Sequence, residues 1–370
     1  MAMLKKFTVS NFKNFKTKTT FDLGNPLNYE FNQDVIINGC VTKAVVLGIN
    51  GSGKSNLGLA LFDIIFHLTD KEKLFIKYAP YLHMDSKVKI AEFEYEFAFD
   101  GIIVQYKYAK KSPFELVYES LTVDNQEVIK YDFRENTGFT TLKGAETLNL
   151  ISSENKISRV KYVRGNAILV ENDKINKAFY AFMDFVDRML MFYSLDERGY
   201  QGFFIGADSF TQGIIREGKT KEFEKFLKDN DIEYNLIEKE INGSKELYCH
   251  FENGDVAFSN IASTGTRALA LFYYWYIKLS KVSLVYIDEY DAFYHFELSK
   301  RLIGLLKTLP QTQIIVTSHN TDLLSNDLLR PDCYYQISEN HIKTFSQLTD
   351  KDIRKAHNIQ KMYKAGSFNE

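Results

Sequence analysis

One stretch near the start of the chain has residue types that bind the phosphates of a nucleotide. Residues 48–55 read Gly-Ile-Asn-Gly-Ser-Gly-Lys-Ser, the P-loop pattern G-x-x-x-x-G-K-S. Its glycines let the backbone fold with N–H groups pointing at phosphate oxygens. We expect Lys54 to reach the β- and γ-phosphates and the Ser55 hydroxyl to ligate Mg²⁺. The predicted nucleotide contacts are Asn50, Gly51, Ser52, Gly53, Lys54, Ser55 and Asn56.

The residues on either side of this loop match the elements that a P-loop connects. Residues 45–47 are apolar, as in a short buried strand, and apolar residues recur at helical spacing from Ser55 to Leu68. The N-terminus of that helix adds partial positive charge beneath the same phosphates. This context makes a chance glycine-rich turn the less favoured interpretation.

A second candidate element ends in two carboxylates. Residues 283–287 form an apolar strand pattern that is followed by Asp288 and Glu289, as in a Walker B motif. We expect Asp288 to hold Mg²⁺ through water and Glu289 to orient or deprotonate the attacking water. The alternative is a buried strand that ends in an ordinary acidic turn, and the P-loop upstream argues against it.

Two further motifs complete the candidate site. A strand pattern at residues 313–318 precedes His319, which we expect to sense the γ-phosphate, although a histidine after a strand is often only a polar cap. We predict Glu289, His319 and Lys54 as the catalytic groups. Ser263, Thr264 and Gly265 precede an apolar helix pattern at residues 268–279, where they form an anion-binding helix start or a plain N-cap.

In this order the motifs resemble those of the ABC-type ATPases of the SMC/RecF/OLD branch. The opening LKKFTVSNFKNF, INGSGKSNL and VTSHN are similar to the usual wording of that branch, over roughly residues 1–100 and 255–330. The resemblance implies ATP and Mg²⁺ as cofactors and a head-to-tail dimer. ATP on one P-loop would be closed over by Ser263 and Gly265 of the other subunit. The signature motif lacks the full LSGGQ wording, and Gln105 is only a candidate for the Q-loop glutamine.

The same resemblance implies the fold class. We expect an α/β P-loop NTPase of ABC ATPase type, with a mostly parallel sheet core, an antiparallel β-subdomain and an inserted mixed α/β-to-helical segment. The predicted boundaries are an N-terminal ATPase lobe at 1–135, an inserted segment at 136–250 and a C-terminal ATPase lobe at 251–370.

Local patterns add detail to this division. An alternating strand at 92–99 continues through a hairpin turn at Asp100-Gly101. Apolar residues from Ile175 to Met189 recur at helical spacing, a charged helix is expected near 220–228, and a strand pair is expected at 247–258.

Composition sets the class of protein. The chain has 370 residues, 45% of them hydrophobic, and a formal net charge of −2, so no global basic field indicates nucleic acid or membrane. Its 3 cysteines lack metal-site spacing and fit a reducing cytoplasm. Neither a signal-peptide core nor a membrane-length apolar run is present in the sequence.

Three functions remain open from the sequence. The closest resemblance is to the compact ATPases of bacterial anti-phage and abortive-infection systems, partly through the tail KAHNIQKMYKAGSF. This favours an ATPase that senses infection and controls a separately encoded effector, a nuclease or toxin. The alternative is a RecF/SMC-like ATPase acting on DNA, through lysines such as Lys107 or Lys225. An OLD-type nuclease is disfavoured because the residues after His319 are too few for a catalytic domain.

The middle segment, about residues 100–250, is the expected docking surface for an effector. The ATPase motifs do not require it, and it places charge beside aromatic residues, as at 107–114 and 193–204. The same composition suits a small local core. We expect no membrane partner.

Overall fold

A computed structural model describes residues 2–71, 75–151, 157–193, 200–202, 210–338 and 341–368. Within these residues the strands are β1 (Ala2–Ser10), β2 (Thr19–Asp22), β3 (Ile36–Ile37), β4 (Cys40–Val41), β5 (Lys43–Leu47), β6 (Ala91–Phe99), β7 (Ile102–Ser112), β8 (Glu115–Val123), β9 (Gln126–Asp132), β10 (Thr137–Thr140), β11 (Met189–Tyr193), β12 (Tyr200–Gly202), β13 (Leu236–Ile241), β14 (Ser244–Phe251), β15 (Gly254–Ala257), β16 (Leu284–Asp288), β17 (Gln313–Ser318), β18 (Tyr334–Ser338) and β19 (His341–Thr344). The α-helices are α1 (Lys54–Phe62), α2 (Ile65–Leu68), α3 (Arg159–Asn166), α4 (Lys174–Asp187), α5 (Phe210–Arg216), α6 (Thr220–Lys228), α7 (Phe258–Ile261), α8 (Thr264–Tyr276), α9 (Phe296–Lys307) and α10 (Ile359–Lys364).

The larger antiparallel sheet has the strand order β10-β9-β8-β7-β6-β1-β2. In β6 the aromatic residues are buried and the glutamates between them are more exposed, because successive side chains point to opposite faces. The β6–β7 hairpin turns at Asp100 and Gly101, which have φ angles of 49° and 86°. The predicted strand and turn are therefore confirmed.

The second sheet has the order β12-β11-β16-β17-β5-β18-β19 and is parallel from β11 to β18. Its central strands are buried on both faces, which explains their continuous apolar runs. Ser318 pairs with Leu47, and Gln336 of β18 pairs with Leu47 from the other side. The carboxyl ends of these parallel strands therefore meet at one edge, where ligands bind in open α/β sheets.

The helix after the P-loop is shorter than the predicted Ser55–Leu68. Helix α1 ends at Phe62, and a break at 63–64 precedes α2. The hydroxyl of Tyr95 donates to the carbonyl oxygens of Ala60 (3.2 Å) and Leu61 (3.1 Å). A side chain of the antiparallel sheet therefore bonds the last carbonyl oxygens of α1, where the regular i→i+4 hydrogen bonds of the helix end.

The middle of the chain is not separate from the two lobes. Met189, predicted on a helix, begins strand β11, which pairs in parallel with β16. Strand β10 extends the antiparallel sheet beyond the boundary at 135. The predicted strand pair at 247–258 is present as β14 and β15, with β13 as a third partner.

These observations confirm the α/β fold class with a mostly parallel core and an antiparallel β-subdomain. The helix predicted at 220–228 is α6. Of the proposed docking stretch 193–204, the structure describes only residue 193 and residues 200–202. Residues 194–199 and 203–209 lie outside the described residues. No helix of the described residues is long and apolar enough to span a membrane.

Candidate functional site

The P-loop follows β5 and has the backbone that its glycines allow. Gly51 and Gly53 have φ angles of 79° and 105°, a region that residues with a Cβ rarely adopt. A Cβ on Gly53 would lie 2.4 Å from Nδ2 of Asn14, and a Cβ on Gly48 would lie 2.4 Å from Oγ of Ser52. Glycine is therefore favoured at these positions, at Gly51 and Gly53 by the backbone conformation and at Gly48 and Gly53 by the close approach of neighbouring side chains.

The ammonium group of Lys54 lies inside this loop. Nζ donates to the carbonyl oxygens of Gly48 (2.9 Å) and Ile49 (3.2 Å), and the side chain is buried. Burial lowers the pKa of Lys54, while the carboxylates of Glu289 and Asp288 oppose that shift. The positive charge of Lys54 therefore lies near the negative charges of both predicted Walker B carboxylates.

Asp288 ends β16 and faces the first turn of α1. Its carboxylate accepts a hydrogen bond from the Thr317 hydroxyl (2.7 Å) and lies near the Ser55 hydroxyl. Burial raises the pKa of Asp288, and the Ser55 and Thr317 hydroxyls and Lys54 act against this rise. A hydroxyl and a carboxylate therefore converge at the position where hard cations such as Mg²⁺ take oxygen ligands.

Glu289 is held in an uncommon backbone conformation. Its φ angle is 49°, a left-handed value that costs free energy for a residue with a side chain. The Glu289 N–H donates to Oγ1 of Thr317 (2.7 Å), and the N–H of Tyr290 donates to the Thr317 carbonyl (3.2 Å). The Thr317 hydroxyl thus bonds both the carboxylate of Asp288 and the backbone N–H of Glu289.

His319 lies between the lysine and the glutamate. Its Nδ1 is 3.3 Å from Nζ of Lys54, and its Nε2 is 3.4 Å from Oε1 of Glu289. Because an ammonium group can only donate, Nδ1 is the acceptor in this contact, and Nε2 is the ring nitrogen that faces Glu289. The three groups predicted to be catalytic therefore form one chain of contacts.

Sequence reasoning missed two residues that contact the predicted site. Asn14, in the turn between β1 and β2, accepts a hydrogen bond from Nδ2 of Asn56 (2.7 Å) and abuts Gly53. Thr317 supports Asp288 and Glu289 as described above. Both residues lie in stretches on which the resemblance rests, LKKFTVSNFKNF and VTSHN. Their positions relative to the motifs do not by themselves indicate a role.

Ser263, Thr264 and Gly265 stand at the start of α8. Ser263 caps the helix by accepting from the N–H of Thr266 (3.0 Å), and Ser263 and Thr264 are exposed. A Cβ on Gly265 would lie 3.3 Å from the carbonyl oxygen of Phe293, in the loop after Walker B. Among the described residues, no hydrogen bond joins this group to the P-loop of the same chain.

The Q-loop candidate lies in the antiparallel sheet. Gln105 is a residue of β7, and its Nε2 donates to Oε2 of Glu96 (3.2 Å), a neighbour on β6. The side chain of Gln105 therefore bonds within the sheet, and the Q-loop assignment stays a prediction.

Several solved SMC head domains are similar to this chain at low sequence identity. The SMC head domain from Thermotoga maritima has 15% identity and a TM-score of 0.46, covering 92% of this chain and 98% of that chain. An SmcHead bound to the C-winged helix domain of ScpA has 15% identity and a TM-score of 0.47, covering 92% and 96%. An Smc head domain bound to the C-terminal domain of ScpA, derived from Pyrococcus furiosus, has 14% identity and a TM-score of 0.44, covering 94% and 98%.

A search of curated proteins gave no match. A family model described as "AAA domain, putative AbiEii toxin, Type IV TA system" matches residues 43–325. The matched region begins with β5 and includes the P-loop, Ser263–Gly265, Asp288, Glu289 and His319. The chain therefore belongs to this AAA-domain family.

Proposed function

We propose that this chain binds ATP with Mg²⁺ and hydrolyses it. The observation that carries the proposal is the convergence of Lys54, Glu289 and His319, with contacts of 3.3 and 3.4 Å, beside the Ser55–Asp288 pair. Ser55 and Asp288 would hold Mg²⁺, which when bound neutralises charge on the β- and γ-phosphates. The Ser55 hydroxyl and the Asp288 carboxylate supply oxygen ligands, which a hard cation such as Mg²⁺ prefers.

Each residue has a separate task in this proposal. Lys54 offers positive charge to the phosphates from within the loop. Glu289 accepts a proton from, or orients, the attacking water. His319, in contact with Lys54 and Glu289, reports whether a γ-phosphate is present. Thr317 positions Asp288 through its carboxylate and Glu289 through its backbone N–H.

The test is turnover after Glu289→Gln. The amide keeps the shape of the side chain but loses the proton acceptor, so ATP should still bind while hydrolysis falls by about 100-fold or more. Glu297→Gln is the matched control, because Glu297 is an exposed residue of α9, outside the site. Hydrolysis by Glu289→Gln at the wild-type rate would show that Glu289 is not the catalytic carboxylate.

We also propose that two copies complete the site. Ser263 and Thr264 are exposed at the start of α8 and make their recorded hydrogen bonds within that helix start, not with their own P-loop. A helix N-terminus suits a phosphate supplied by another subunit. Sedimentation of Glu289→Gln with ATP should show a dimer that dissociates without nucleotide, and a monomer at every concentration would contradict the proposal.

The cellular output is proposed to pass through a separately encoded effector in anti-phage defence. Support comes from the family description, which names a type IV toxin–antitoxin system. An effector would respond to the two nucleotide states of the ATPase. Affinity capture of the products of neighbouring genes should differ between Glu289→Gln, held with ATP, and Lys54→Ala. Capture of DNA with no protein partner would favour the alternative, a RecF/SMC-like ATPase that acts in repair or recombination.

A further inference from the structure

Tyr286 is a buried residue of β16 that contacts the start of the P-loop helix. Its hydroxyl donates to the backbone carbonyl oxygen of Lys54 at 2.5 Å, and the residue is 0% exposed. The backbone N–H of Gly58, one helical turn after Lys54, lies near the same hydroxyl oxygen. The first turn of α1 is therefore bonded to a side chain of the strand that ends in Asp288.

The position of Tyr286 on its strand directs this contact. Tyr286 precedes Asp288 by two residues, and side chains two residues apart on a strand point to the same face of the sheet. Helix α1 packs against β16, so the tyrosine reaches Lys54 on the side where the Asp288 carboxylate lies near Ser55. One strand thus holds both the carboxylate and the group that bonds the residue before Ser55.

Gly58 leaves room for the tyrosine ring beneath the helix. A Cβ on Gly58 would lie 2.6 Å from Cε1 of Tyr286 and 2.6 Å from Cε of Met191, so a side chain there would displace its neighbours. Met191 lies on the neighbouring strand β11 and pairs with Tyr286 in the sheet. The glycine therefore allows α1 to approach β16 closely enough for the tyrosine hydroxyl to reach the Lys54 carbonyl.

Ser55 and Asp288 belong to different elements, so the gap between their side-chain oxygens depends on how α1 lies on β16. The hydroxyl–carbonyl bond fixes the backbone of Lys54, one residue before Ser55, to a strand residue two positions before Asp288. Removing a group that orients the ligands of a metal ion usually lowers metal affinity by about 10- to 100-fold. Such a group acts on the cation site without touching the cation.

We propose that Tyr286 is a positioning residue for the site of Mg²⁺ and nucleotide, an inference that rests on the ATPase function proposed above. The tyrosine hydroxyl holds the first turn of α1 so that the Ser55 hydroxyl stays beside the Asp288 carboxylate. The side chain itself contacts neither the nucleotide nor the metal ion, because its hydroxyl is bonded to the protein backbone.

The test compares ATP binding by the full chain over a series of Mg²⁺ concentrations. Tyr286→Phe keeps the ring and removes the hydroxyl, and it should raise the Mg²⁺ concentration for half-maximal ATP binding by about tenfold. Affinity for ATP in excess EDTA should stay at the wild-type value, since no cation then joins Ser55 to Asp288. Tyr335→Phe is the matched control, because Tyr335 is a buried residue of β18 whose hydroxyl donates to the Asp22 carbonyl (3.0 Å).

A second variant leaves the hydroxyl in place. Gly58→Ala places a methyl group against the tyrosine ring and should shift the Mg²⁺ dependence in the same direction. Gly304→Ala, on α9 with open space around the added Cβ among the described residues, should not. A measurement without nucleotide is amide hydrogen exchange at residues 54–58, which Tyr286→Phe should speed by about fivefold through loss of one hydrogen bond.

The outcomes separate the positioning role from the ATPase function. Wild-type Mg²⁺ dependence in Tyr286→Phe, or an equal shift in Tyr335→Phe, would overturn the positioning role and leave the ATPase function standing. Unchanged hydrogen exchange in Tyr286→Phe would show that the hydroxyl does not hold the first turn of α1, which also overturns the role. A wild-type chain that binds no ATP at any Mg²⁺ concentration would contradict the ATPase function, and the positioning role with it.

Discussion

Lys110→Met removes a buried cation whose partner lies at the end of the P-loop helix. Nζ of Lys110 is 2.7 Å from Oδ2 of Asp63, and both side chains are 0% exposed. The hydroxyls of Tyr81 and Tyr108 donate to the same carboxylate at 3.0 Å. Because Asp63 directly follows α1, this cluster joins the helix that begins at Lys54 to strand β7 of the antiparallel sheet.

The expected cost follows from the charge left behind. Breaking a buried ion pair by removing one partner costs about 3–5 kcal/mol of unfolding free energy, because the other charge stays buried. Methionine keeps most of the lysine volume, and the two tyrosine hydroxyls still solvate Asp63, so we expect about 3 kcal/mol. Asp63→Asn combined with Lys110→Met should cost less than the sum of the two single changes, since no charge remains.

Urea denaturation followed by tryptophan fluorescence measures both quantities. Lys111→Met is the matched control, because the neighbouring Lys111 is 50% exposed and pairs with Glu115 at the surface. A surface pair of this kind contributes at most about 1 kcal/mol. A loss below about 1 kcal/mol in Lys110→Met, or strict additivity in the double variant, would refute the argument that this pair fastens the P-loop helix to the sheet.

Three further outcomes follow from the site. His319→Ala should impair ATP-driven dimer closure more than ATP affinity, as measured by sedimentation and nucleotide titration; unchanged closure and hydrolysis would remove His319 from the site. Asp288→Asn should raise the unfolding free energy of the nucleotide-free chain at pH 7, because burial raises the pKa of Asp288 and its ionised form is therefore disfavoured by folding; lower stability in denaturant would contradict this. Because Asp288 protonates at a higher pH than an ordinary aspartate, Mg²⁺-dependent ATP binding should weaken as the pH falls through that raised pKa. Thr317→Val, which removes a hydrogen bond to the carboxylate, should move this loss to higher pH, and identical pH profiles would contradict the assignment.

The residues predicted to carry chemistry could be found from sequence because each follows a strand of one parallel sheet. Lys54, Asp288 and His319 are far apart in the chain, yet β5, β16 and β17 are adjacent, so their carboxyl ends bring these residues together. Because parallel strands have their carboxyl ends at the same edge of the sheet, a sequence that predicts these strands also predicts that the residues after them lie close together. The roles of these residues stay predictions.

Other features depend on contacts that local patterns do not encode. Helix α1 ends at Phe62 because Tyr95, on a distant strand, bonds its last carbonyl oxygens. Met189 fits the helical spacing of apolar residues in α4 but is the first residue of β11, because this segment pairs with β16 in the core sheet. The support from Asn14 and Thr317 likewise depends on tertiary packing, so single-sequence reasoning could not assign it.

The central claim, that two copies share each ATP site, is tested most directly by mixing inactive subunits. Lys54→Ala disables the P-loop of one chain, and Gly265→Glu disables the helix start that would close the site of its partner. In a head-to-tail dimer one site receives both defects and the other neither, so an equimolar mixture should regain about a quarter of wild-type ATPase activity. In an equimolar mixture of the wild-type chain with the double variant Lys54→Ala, Gly265→Glu, the heterodimers contain no intact site, so the wild-type homodimers alone should keep about a quarter of wild-type activity, where unshared sites would keep about half. Activity equal to the sum of the separate variants would contradict the claim.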